Sequence, residues 1–119
     1  MTLAFIIEDE PDLALIFSKA LKSEGLKIEI ISDGLEAVSR LKETTPDVIV
    51  LDMHLPGLSG ADILQHIRHD ARLAATKVIV ATADANMRYM VEEYADLVLL
   101  KPVSYHQLRD FSMRLLARR

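Results

Sequence analysis

Residues 48–51, Val-Ile-Val-Leu, form an unbroken aliphatic run. It ends on Asp52 and leads at once into the turn sequence Met53-His54-Leu55-Pro56-Gly57-Leu58-Ser59-Gly60. No polar residue alternates with the apolar ones, so neither face of such a strand suits water. Strands of this kind lie inside parallel sheets covered on both faces by helices. Residues 3–7, 77–81 and 97–100 supply three more largely apolar segments of strand length, and residues 27–31 a short, more polar one.

The segments between them carry helical periodicity. Pro11 suits a first helical turn, and Leu13, Ile16, Phe17, Ala20 and Leu21 then recur at helical spacing up to a stop at Gly25. Asp33-Gly34-Leu35-Glu36 resembles a capping box and opens a helix with Leu35, Val38 and Leu41 on one face. Ser59 caps a third helix containing Ile63, Leu64 and Ile67, and a weaker helix covers residues 85–93. The last helix, residues 105–117, turns Leu108, Phe111, Ser112 and Leu115 inward. Five strand–helix units with short connections predict an α/β fold, a doubly wound parallel sheet with helices on both faces. The commonest strand order for such a five-stranded sheet is 2-1-3-4-5, with its switch point between strands one and three.

Composition narrows the function classes. A chain of 119 residues that is 50% hydrophobic is one domain, taken here as residues 1–119. A net charge of −4 and an aromatic content of 5% offer neither the basic field nor the stacking platforms of a nucleic-acid binder. The absence of cysteine excludes thiol chemistry and fits a cytoplasmic location. The opening Met-Thr-Leu-Ala-Phe-Ile-Ile lacks a basic leader and reads as the first strand, and no apolar run has membrane-spanning length.

The switch-point order makes neighbours of the acids ending strand one, Glu8 and Asp9, and the acid ending strand three, Asp52. Three converging carboxylates repel, raising the pKa of at least one unless a cation intervenes. An oxygen-only donor set without a His/Cys pair favours Mg²⁺ over zinc. Glu10 and Asp12 read instead as a solvated acidic helix start. Strand four ends in Thr82-Ala83 and strand five in Lys101-Pro102. A carboxylate nucleophile, a lysine point charge and a hydroxyl donor make a phosphoryl-transfer site, a reaction that needs charge neutralisation more than a general base.

In this order and placement, the Glu8-Asp9 pair, Asp52 with its Pro-Gly turn, Thr82-Ala83 and Lys101-Pro102 resemble the receiver domains of two-component response regulators. The resemblance implies a flavodoxin-like fold with the 2-1-3-4-5 order. It implies phosphotransfer from a histidine kinase or histidine phosphotransfer protein to Asp52, and Mg²⁺ held by Asp9, Asp52 and the main-chain carbonyl of His54, with Glu8 acting through water. It also implies a cis Lys101–Pro102 peptide. On this reading the domain catalyses only its own phosphorylation and dephosphorylation and is not otherwise an enzyme. Its expected partners are the phosphodonor, a downstream protein or effector domain, and a second copy through helix four, strand five and helix five, where Tyr94, Val98, Tyr105 and His106 contribute.

Several positions depart from the family pattern. Glu8 is longer than the usual Asp, Val98 stands where an aromatic ring commonly serves the switch, and Val103 replaces a frequent Phe. Tyr94 is the available substitute for the ring. By the same resemblance, His54 and Asp84 would flank the nucleophile and tune the lifetime of the acyl phosphate, with a solvent-exposed loop residue as the alternative reading of His54. Arg114, Arg118 and Arg119 read as complements to a helix C-terminus, with a basic patch for a partner or DNA as the alternative. Two other functions compete: a hydrolase working through an aspartyl phosphate, and a degenerate receiver acting as an unphosphorylated interaction domain. The first conflicts with the nucleophile following strand three and with the lack of a cap domain. The second conflicts with the intact Asp9, Asp52, Thr82 and Lys101.

Overall fold

A computed structural model describes residues 2–117. The chain alternates strand and helix: β1 (Leu3–Ile7), α1 (Pro11–Lys22), β2 (Lys27–Ile31), α2 (Gly34–Glu43), β3 (Val48–Asp52), α3 (Gly60–Arg68), β4 (Lys77–Thr82), α4 (Ala85–Val91), β5 (Leu97–Leu100) and α5 (Tyr105–Ala117). A 3-10 turn at Ala71–Leu73, which periodicity did not reveal, precedes β4. All pairings are parallel and the order is β2-β1-β3-β4-β5, a flavodoxin-like doubly wound sheet.

Alternation along the central strands sorts the core into two layers. Phe5, Ile7, Ile49, Leu51, Val78 and Val80 face one side, where Ala37 and Leu41 of α2, Ile63, Leu64 and Ile67 of α3 and Val91 of α4 cover them. Ala4, Ile6, Val48, Val50, Ile79 and Ala81 face the other, under Phe17 and Leu21 of α1 and Leu108 of α5. Every residue of β3 is buried, as its uninterrupted apolar run requires.

Local chemistry sets the helix starts. Pro11 lies in the first turn of α1, Asp33 accepts the Glu36 amide at 3.0 Å, and Ser59 accepts the Asp62 amide at 3.2 Å. Two side chains expected in the core lie outside it. Ile16 is exposed, because the buried stripe of α1 runs through Ala14, Phe17, Ser18 and Leu21 and leaves Ile16 on its margin. Leu35 is 62% exposed, because the stripe of α2 runs through Gly34, Ala37 and Leu41, roughly 100–160° round the helix from it. α4 ends at Val91, shorter than its sequence pattern suggested. Arg114 stacks over Phe111 at 5.6 Å in the last turn of α5, whereas Arg118 and Arg119 lie outside the described residues. Among the described residues no helix is long and apolar enough to cross a membrane.

Candidate functional site

The site forms at the carboxyl edge of the sheet, where β1 and β3 lie side by side and their connections leave toward opposite faces. Asp52 is the last residue of β3 and is only 4% exposed. Its Oδ1 accepts the His54 amide at 3.2 Å, so the turn folds back on the carboxylate. Glu8 follows β1, and its amide donates to the Ile31 carbonyl at 3.0 Å, extending the ladder to β2 by one residue. Glu8 is 2% exposed, while Asp9 is exposed at the rim.

Lys101 joins these acids from the end of β5. Its Nζ lies 3.3 Å from Glu8 Oε1 and 3.4 Å from Asp52 Oδ1. The Lys101–Pro102 peptide is cis, and the Lys101 amide donates to the Thr82 carbonyl at 2.8 Å. Thr82, last in β4 and fully buried, accepts the Asp84 amide on Oγ1 at 3.1 Å. Its hydroxyl proton is left to donate elsewhere.

The electrostatics follow from burial. Burial, then the negative charge of Asp52, raise the Glu8 pKa from 4.5 to about 7, against the opposing pull of Lys101. An acid of the cluster is thus lifted, as expected, but by burial first and by the neighbouring Asp52 charge second. Burial lowers the Lys101 pKa, but the charges of Glu8 and Asp52 outweigh it and the net direction is upward. Glu8 Oε2 is buried without a hydrogen-bond partner. An unpartnered carboxylate oxygen in such a place is costly unless a proton or a cation meets it. One oxygen from each of Glu8, Asp9 and Asp52 falls within a 4.8 Å group, so the donor set fits a hard divalent cation.

The structure therefore gathers Glu8, Asp9, Asp52 and Lys101 and sets Thr82 on the neighbouring strand. The His54 side chain is exposed and enters the site only through its backbone. Asp84 caps α4 by accepting the Asn86 amide at 2.9 Å. Val98 and Tyr94 both pack, half-buried, against the core layer under α2, α3 and α4, as does Met87. Val103 is buried, consistent with a packing variation.

Two tertiary contacts escaped the sequence reading, one at the amino-terminal edge of the sheet and one beside the site. Arg68 at the end of α3 donates to the Tyr94 carbonyl at 2.6 Å and pairs with Asp96 at 3.0 Å, tying α3 to the segment before β5. Gly34 donates to the Pro56 carbonyl at 3.0 Å, tying α2 to the turn after Asp52. A glycine at the first position of a helix was the available signal for the second, and nothing in the local pattern marked the first.

Fold and site together define an α/β domain with an acid-and-lysine crevice at its switch point. The chain belongs to the response regulator receiver domain family, whose pattern matches residues 4–111. It is 33% identical over 110 residues to the sensory transduction protein RegX3 of Mycolicibacterium smegmatis, covering 91% of this chain and 47% of that protein. The chain spans about half the length of the curated relatives it matches. A putative response regulator from Chloroflexus aurantiacus has a TM-score of 0.90 at 22% identity, covering 98% of both chains. The receiver domain of the sensor histidine kinase PA1611 from Pseudomonas aeruginosa has a TM-score of 0.88 at 23% identity, again covering 98% of both chains. That structure is described with a magnesium ion coordinated in the active-site cleft.

Proposed function

We propose that this receiver domain, residues 1–119, accepts a phosphoryl group on Asp52 from a phosphohistidine of a histidine kinase or histidine phosphotransfer protein. The observation that carries the reading is the convergence of buried Asp52 and Glu8 on one lysine ammonium, with Thr82 on the adjoining strand. A carboxylate oxygen of Asp52 attacks phosphorus, an O–P bond forms as the N–P bond of the donor breaks, and the imidazole leaves. Lys101 neutralises charge on the carboxylate and on the transferring phosphoryl oxygens. The Thr82 hydroxyl, with Oγ1 already accepting from Asp84, donates its proton to a phosphoryl oxygen and so senses its arrival.

Asp9, Asp52 and the main-chain carbonyl of His54 would hold Mg²⁺, with Glu8 behind them acting through water. When bound, the ion supplies positive charge to the phosphoryl oxygens. The magnesium described in the Pseudomonas receiver domain supports this choice. Hydrolysis of the acyl phosphate is the domain's own reaction, with the Asp84 and His54 positions beside it.

The phosphorylated form presents an altered surface to a downstream protein or effector domain in the cytoplasm, with helix α4, strand β5 and helix α5 as the contact face and as the face for a homodimer. Tyr89 and Met90 are both exposed on α4, and Tyr105 and His106 pack edge to face at the start of α5. Neither nucleic acid nor membrane is a direct partner on this reading.

Incubation with acetyl phosphate and Mg²⁺, followed by intact-mass measurement, tests the proposal. The wild type gains one phosphate and Asp52→Asn gains none. A wild type without a Mg²⁺-dependent adduct would contradict it.

A further inference from the structure

The turn that follows Asp52 is braced from outside by the first residue of α2. The Gly34 amide donates to the Pro56 carbonyl at 3.0 Å. A Cβ built on Gly34 would collide with the backbone of Leu58, lying 2.7 Å from its nitrogen and 2.8 Å from its carbonyl carbon. The obstruction is backbone, so no rotamer change can relieve it. Asp33, the residue before, caps α2 with Oδ2 and sets its Oδ1 beside Gly57, which holds φ +83°. Any Cβ at Gly57 would meet that oxygen.

Within the turn itself the backbone bonds are short-range: Leu58 N to Pro56 O at 3.1 Å and Gly60 N to Met53 O at 3.2 Å. The second ties the far end of the turn back to the residue after Asp52, whereas the middle of the turn, Pro56–Leu58, meets the start of α2. At its near end the turn carries His54, whose amide donates to Asp52 Oδ1. His54 lies between the strand end and Pro56–Leu58, and the backbone partner of Pro56 outside the turn is the Gly34 N–H.

We propose that Gly34 is a positioning residue for the acceptor turn. Its bare α-carbon and its N–H seat Pro56–Leu58 on the start of α2, and so hold the His54 backbone in register with Asp52. The proposal rests on the reading of Asp52 as phosphoacceptor. It adds that the N-terminus of α2 and the cation site are energetically coupled. Coupling is reciprocal: whatever disturbs the seat weakens cation binding, and cation binding tightens the seat.

Gly34→Ala is the direct test. Leu41→Val, a fully buried position on the same helix, controls for loss of stability alone. Backbone amide resonances of Gly34→Ala without Mg²⁺ should shift at His54 and Leu58, whereas those of Leu41→Val should not. Shifts of Gly34→Ala confined to the first turn of α2 would overturn the proposal. Mg²⁺ affinity and the rate of adduct formation from acetyl phosphate should fall roughly tenfold to a hundredfold in Gly34→Ala, the scale on which a displacement of order 1 Å acts. Leu41→Val should remain near wild type in both.

Wild-type protein supplies a measurement that does not depend on the variant folding. Mg²⁺ should slow hydrogen exchange at the Gly34 amide, and an exchange rate unchanged by saturating Mg²⁺ would overturn the coupling. A wild type that takes no adduct at all counts against the phosphoacceptor reading. The resonance shifts of Gly34→Ala judge the seat independently of it.

Discussion

The two halves of the sheet are built differently, and the difference separates chemistry from its transmission. β1 and β3 are central strands, and all five residues of β3 are buried. Their carboxyl ends carry Glu8 and Asp52, held by Lys101. The α4–β5 edge beyond β4 is looser: only Val91 of α4 is buried, and of β5 only Leu99. Tyr89 is 78% exposed there. A rigid half suits the close positioning that the proposed phosphoryl transfer demands. A thinly packed edge has a low cost of rearrangement, as a switch demands.

Loss of core packing on β1 has the severest consequence. Phe5→Ala, which empties a fully buried ring site on β1, should lower unfolding stability by about 3 to 5 kcal/mol in urea titration. A loss under 1 kcal/mol would mean the central half is not the rigid one.

The next effect belongs to Glu8 and depends on pH. Its folded pKa of about 7 exceeds the ordinary 4.5, so between those values the folded state binds more protons than the unfolded state. Stability from this group is therefore fully present below pH 4.5 and is lost as pH rises through 7. The loss has an upper bound of about 3 kcal/mol. Without Mg²⁺, Glu8→Gln should gain on wild type as pH rises from 5 to 8. An identical pH slope for the two proteins would remove the burial argument.

Smaller effects sharpen the edge. Val91→Ala removes the equivalent of two buried carbons, about 1.5 kcal/mol at 0.8 per group. Amide exchange should show the loss as local opening of α4, with β3 unaffected. Asp84→Ala removes the cap of α4 and should cost about 1 kcal/mol, seen in the same local exchange. If either substitution exposed β3 amides equally, the two halves would be one cooperative unit.

The sequence made much of the rigid half legible. A strand buried on both faces has no polar interruption, so residues 48–51 could be read without a partner in view. Pro11, Asp33 and Ser59 act within a few residues of themselves, and all three helix starts appear where their chemistry places them. The site acids were legible as strand ends once the strand order was assumed. Their division of labour was not: Glu8 is buried, with one oxygen on Lys101 and the other without a partner, while Asp9 is at the rim, and only packing decides that. Ile16 and Leu35 show the limit of periodicity, which finds an apolar stripe but not its margins. Arg68 reaches Tyr94 and Asp96 across 26 and 28 residues, beyond any local pattern.

The division between a chemical half and a responsive edge is tested most directly by hydrogen exchange on the same protein before and after phosphorylation with acetyl phosphate. The account predicts altered protection in the turn after Asp52 and along β4–α4–β5, with the amides of β1 and the interior of β3 unchanged. Protection that changes in β1 and β3 while α4 and β5 stay constant would contradict it.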